Sequence, residues 1–143
     1  MDADTDQHAR GRATPEQMAR QHIYVMNGSP EFLDIIRALL QEERYNVTTT
    51  NFIPNSFRTI ETAQPSLLII DLIVGEQAGW DLLGRLRVSV STREIPVILV
   101  STTPRLLDEA REQHEIFGGD HYLVKPFDLE DLLRLIGELI GTA

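Results

Sequence analysis

From His22 to Ile140 the chain alternates short apolar runs with longer amphipathic ones, five times over. That rhythm is the pattern of βα units on a parallel sheet, because a crossover helix must follow each strand before the next can lie parallel to it. It predicts strands at 22–26, 46–50, 66–71, 96–101 and 120–124, with helices at 30–44, 55–63, 79–88, 104–116 and 128–140. The runs at 66–71 and 96–101 are nearly continuous in apolar residues, as strands covered on both faces must be, so these two belong at the centre. Ser29-Pro30 and Thr103-Pro104 each set a capping side chain before a proline at the first helical position. Asp128 is placed to cap the last helix, with Asp131 three residues on. Phe32, Ile35, Ile36, Leu39 and Leu40 form one apolar stripe, and Leu129, Leu132, Leu133, Ile136, Leu139 and Ile140 another. Both read as core.

A chain of 143 residues fits one domain with a core of its own. It holds no cysteine, which excludes a disulfide scaffold, a thiolate metal site and a cysteine nucleophile. The net charge of −9 opposes binding to nucleic acid, which needs clustered Lys and Arg. No window approaches the about 20 apolar residues of a membrane span, and residues 1–12 lack a signal-peptide core, so a soluble, cytoplasmic protein is expected. Residues 1–20 carry charge without apolar period and are expected to be a flexible tail, with Arg10, Arg12 and Arg20 solvated; 21–143 is expected to form the single domain, with no output domain after it.

In an open α/β sheet the reactive groups collect beyond the carboxyl ends of the strands. Those ends carry Asn27-Gly28-Ser29, Asp71, Ser101-Thr102 and Lys125-Pro126. Asp71 ends an apolar run, where a carboxylate is costly unless paired or functional. Lys125 is the one lysine against twelve arginines. A carboxylate, a hydroxyl and an ammonium at one sheet edge suit a nucleophile that accepts a phosphoryl group while the other two hold its oxygens. The same three residues equally suit a satisfied Asp71–Lys125 ion pair with Ser101 as a neighbouring donor. His8, His22, His114 and His121 have no metal-ligand spacing, and Trp80 reads as packing for the third helix.

From about residue 21 to 141 the chain resembles the receiver domain of two-component response regulators. Leu67-Leu68-Ile69-Ile70-Asp71-Leu72 resembles the phosphoacceptor strand, and Gly79 stands eight residues later. Ile95-Pro96-Val97-Ile98-Leu99-Val100-Ser101 and Gly118-Gly119-Asp120-His121-Tyr122-Leu123-Val124-Lys125-Pro126-Phe127 resemble the family's last two strands. The resemblance implies a flavodoxin-like (βα)5 three-layer sandwich of strand order 2-1-3-4-5. It implies Asp71 as acceptor of phosphate from a sensor histidine kinase, Ser101 and Lys125 as phosphoryl contacts, Tyr122 as the switch aromatic, and a cis bond before Pro126.

The chain departs from that pattern where the family carries two adjacent acids for Mg²⁺. Asn27 and Gly28 stand there instead. Mg²⁺ wants hard oxygen ligands, commonly one or two carboxylates. Asp71 and the backbone carbonyl of Ile73 remain, and no spacing places Glu31 or Glu76 at the ion. Gly75 replaces the proline common in the same loop, so that loop is expected to be more mobile. The expectation is therefore weak or absent Mg²⁺ affinity. Three functions are in play: a stand-alone phosphorylatable receiver, not an enzyme, that signals by docking on another protein; a degenerate, phosphorylation-independent interaction or dimerisation module; and a small flavodoxin-like binder or enzyme. The turn after the first strand is too short for the phosphate loop of the last. Docking is expected on 104–116, Tyr122 and 128–140.

Overall fold

The computed structural model describes residues 20–51, 56–72, 77–112 and 121–141. Among these, five strands run β1 (His22–Met26), β2 (Asn46–Thr50), β3 (Leu67–Asp71), β4 (Val97–Ser101) and β5 (His121–Val124). Five helices follow them in turn: α1 (Pro30–Glu42), α2 (Ser56–Ala63), α3 (Ala78–Val88), α4 (Pro104–Glu112) and α5 (Leu129–Ile140). All pairings are parallel, in the order β2-β1-β3-β4-β5. The sequence pattern and the expected topology both hold.

Alternate residues of each strand feed opposite faces, because side chains in a strand repeat every second position. Val25, Ile69, Ile98 and Val100 pack with the stripes of α1 and α5. Met26, Ile70, Leu99 and Tyr24 pack with α2, α3 and α4. β3 and β4 are buried along their whole length, whereas β2 is only half-buried, as an edge strand should be. His22 lies at the far end from the carboxyl edge; its ring nitrogen Nε2 is 2.7 Å from Thr48 Oγ1, and burial lowers its pKa from the ordinary 6.5.

The elements depart from the sequence pattern at their edges. α1 stops at Glu42, not at 44, because Arg44 turns left-handed (φ 70°). Its N–H then bonds to Gln41 O and that of Tyr45 to Leu40 O, which closes the helix end with two returning hydrogen bonds. Strands predicted from 66 and 96 begin one residue later. The core stripe of α1 is Leu33, Ile36 and Leu40, and Ile35 is exposed: it sits about 160° around the helix from Leu33, out of the stripe's reach. Leu129 is also exposed, on the first turn of α5. Ser29 caps α1 as expected, accepting from Phe32 N, but Asp128 makes no side-chain cap; its backbone carbonyl takes the Asp131 N–H instead. The expected tail up to residue 19, the loop residues Ile73, Gly75 and Glu76, and the stretch 113–120 with His114 lie outside the described residues.

Candidate functional site

Asp71 closes β3 and stays 7% exposed, so its charge needs a partner close by. Lys125 supplies it: Nζ stands 3.2 Å from Asp71 Oδ1. The register explains how. Asp71 lies opposite Val100, and Val100 opposite Leu123, so Lys125 sits two positions beyond Asp71's row and on the same face. Two positions are about 6.6 Å along a strand, a span the lysine stem covers when it folds back. The backbone turn after β5 is held by Lys125 N donating to Ser101 O, and the Lys125–Pro126 bond is cis.

Ser101 is brought to the same edge but faces away from the pair. It lies one position beyond Asp71's row, so the strand alternation turns its side chain to the opposite face. Its hydroxyl donates to Leu72 O at 2.8 Å and accepts from Thr103 N at 3.0 Å. Tyr122 is half-buried against the core beneath α4, with the Arg111 guanidinium 4.6 Å above its ring. Gly79 starts α3 against β3; a Cβ there would meet Leu72 Cδ2 at 3.0 Å. That close approach is a physical reason for glycine.

Phe32 was expected in the core stripe, and its second role was not legible. The Lys125 ammonium lies 4.7 Å from the Phe32 ring centroid, and Phe127 meets that ring edge-on at 6.2 Å. A cation over an aromatic face gains about 0.5–2 kcal/mol, which helps to hold Lys125 over the site. No sequence spacing links residue 32 to residue 125; only the fold brings them together. Phe32, Ile35, Lys125, Phe127 and Leu129 line an apolar cavity of about 480 Å³ beside the pair.

Asn27 and Gly28 occupy the corner where the resemblance would set two acids. Gly28 is exposed, and Asn27 is 2% exposed. Met26 lies opposite Ile70, so Asn27 follows opposite Asp71, on the face shared by Val25 and Ile69. Asn27 Oδ1 accepts from Ser29 N at 2.9 Å, and the Asn27 backbone N–H bonds to Thr50 O. The donor N–H fixes which end of the carboxamide is oxygen, so the other end is the NH₂ group. That Nδ2 is buried without a hydrogen-bond partner. Among the described residues no three His, Asp or Glu side chains cluster as a metal site, and Glu31 is exposed on the first turn of α1.

Residues 23–137 match the response regulator receiver domain family. The chain is 28% identical over 122 residues to the two-component response regulator ORR3 of Oryza sativa subsp. indica, covering 83% of this chain and 90% of that protein. It is 26% identical over 109 residues to the heme response regulator HssR of Staphylococcus saprophyticus, covering 76% of this chain but 46% of HssR. Among solved structures, the receiver domain of sensor histidine kinase PA1611 from Pseudomonas aeruginosa, which has a magnesium ion in its active-site cleft, superposes with a TM-score of 0.71. It is 26% identical, with 87% of this chain and 100% of that one covered.

Proposed function

The chain belongs to the response regulator receiver domain family, and from that premise we propose a receiver in phosphorelay signal transduction with Asp71 as its phosphoacceptor position. The observation that carries this reading is the Asp71–Lys125 pair at the carboxyl edge of the sheet, 3.2 Å apart and largely buried. A carboxylate oxygen of Asp71 attacks the phosphorus of a phosphohistidine on a sensor kinase. The P–N bond breaks, the imidazole keeps the electron pair, and Lys125 neutralises the charge gathered on the phosphoryl oxygens. Ser101 joins them only by releasing Leu72 O, which gives the site two states for its hydroxyl. In this reading the protein is a stoichiometric acceptor and not a turnover enzyme.

The donor set does not fit Mg²⁺. Asp71 is already engaged by an ammonium, and Asn27, its neighbour across the strand pair among the described residues, presents an NH₂ end that cannot ligate a cation. A dication there would lack charge compensation, so the metal site is read as impaired. Signalling then goes through protein contact on the face made by α4, β5 and α5. There Arg111 covers Tyr122, and a cavity of about 300 Å³ opens between Tyr122, Leu123, Asp131, Arg134 and Leu135.

The test is intact mass after incubation with acetyl phosphate and Mg²⁺, in the wild type and in Asp71→Asn. A gain of one phosphoryl group in the wild type alone is the expected result. No gain in either would leave the degenerate, phosphorylation-independent interaction or dimerisation module as the better account.

A further inference from the structure

We propose that the buried Asn27 carboxamide takes the place of the cation: its Nδ2 donates to an oxygen of the phosphoryl group on Asp71, so that the acyl phosphate forms and persists without a divalent metal. The inference rests on Asp71 being the phosphoacceptor position.

Three observations converge on it. Asn27 is all but buried, and its NH₂ has no acceptor, a cost that native interiors seldom leave standing. The unmet donor stands one strand over from Asp71, at the about 4.8 Å spacing of neighbouring strands and on the same face. Its orientation is imposed, because Oδ1 is held by the Ser29 N–H at the start of α1. That bond also polarises the amide and strengthens its other end as a donor. On its far side Asp71 has the Lys125 ammonium. An oxyanion on Asp71 therefore meets a cation from β5 and an N–H donor from β1, the complement of its charge. A dication at the same point would meet an ammonium and an amide hydrogen.

The step balances without a metal. An Asp71 carboxylate oxygen attacks the phosphorus of acetyl phosphate, the bond from phosphorus to the acyl oxygen breaks, and acetate leaves with the electron pair. One carboxylate is exchanged for another and the phosphoryl group keeps its charge.

The experiment is acetyl phosphate labelling followed by intact mass, in EDTA and in millimolar Mg²⁺, for the wild type, Asn27→Ala, Asn27→Ser and Asn27→Asp. Wild-type labelling in EDTA is expected within about twofold of that in Mg²⁺. Asn27→Ala should lower the EDTA yield by about tenfold, the weight of one hydrogen bond to a charged acceptor. Asn27→Ser keeps an oxygen for the Ser29 N–H but is too short to reach the phosphoryl group, so it should lose as much and serves if the alanine variant does not fold. Asn27→Asp should label poorly in EDTA and recover with Mg²⁺. Labelling of the wild type only with Mg²⁺ would overturn the inference and leave Asp71 as acceptor. Equal EDTA labelling of the wild type and the neutral variants overturns it too, and assigns the Nδ2 hydrogens to a bridging water. No labelling of the wild type in either condition removes both readings.

Discussion

Lys125 and Asp71 were legible in the sequence because each breaks its surroundings: one lysine among arginines, one acid at the end of an apolar run. Their distance was not. At 3.2 Å with both side chains largely covered, this pair differs from the exposed pairs Arg111–Asp108 and Arg134–Asp131. Those two are worth roughly 0–1 kcal/mol, because water already solvates the separated charges. Removing one partner of a buried pair strands the other, which costs more than the pair itself contributes. Lys125→Met is therefore expected to cost about 2–4 kcal/mol in urea unfolding. In an Asp71→Asn background the same substitution should cost much less. Equal costs in the two backgrounds would show that Lys125 stabilises through Phe32 and not through Asp71.

Where the described residues test them, element bounds were readable to within a residue or two, and the deviations have local causes. The stop of α1 came from a left-handed Arg44, which no residue preference announces, since glycine or asparagine is the usual choice there. The failure of Asp128 to cap α5 came from its backbone carbonyl reaching Asp131 N first. Gly79 is a case where two scales oppose each other. In a helix, glycine to alanine gains about 1 kcal/mol from propensity. Here the new Cβ would meet Leu72 Cδ2 at 3.0 Å, and Leu72 is itself buried among the residues that α3 packs against. Overpacking costs about 1–3 kcal/mol, so it should win. Gly79→Ala is expected to lower stability by about 1 kcal/mol, read as a lower urea midpoint at unchanged slope. A stabilised variant would mean that Leu72 moves aside freely.

At the scale of the whole molecule, the sheet is protected unevenly. β3 and β4 are buried throughout and β1 nearly so, while β2 and β5 are edges. Amide exchange should be slowest in β1, β3 and β4, because their hydrogen bonds open only with the core. Slower exchange in β2 or β5 than in β3 would contradict this ordering. The sequence alone determined the fold class: five alternations of a short apolar run with an amphipathic stretch leave a parallel sheet with covering helices as the way to bury every apolar stripe. It also determined which residue types reach the carboxyl edge, since a strand end is a place in the chain. Which of them meet was decided by the tertiary structure. Strand register and side-chain parity bring Lys125 back to Asp71, turn Ser101 away to Leu72, lift Phe32 under the ammonium, and set Asn27 beside Asp71 with its amide hydrogens unmatched. Contacts between residues 27, 71 and 125 depend on how neighbouring strands slide past one another, and that offset is settled by the packed core as a whole rather than by any local run of sequence.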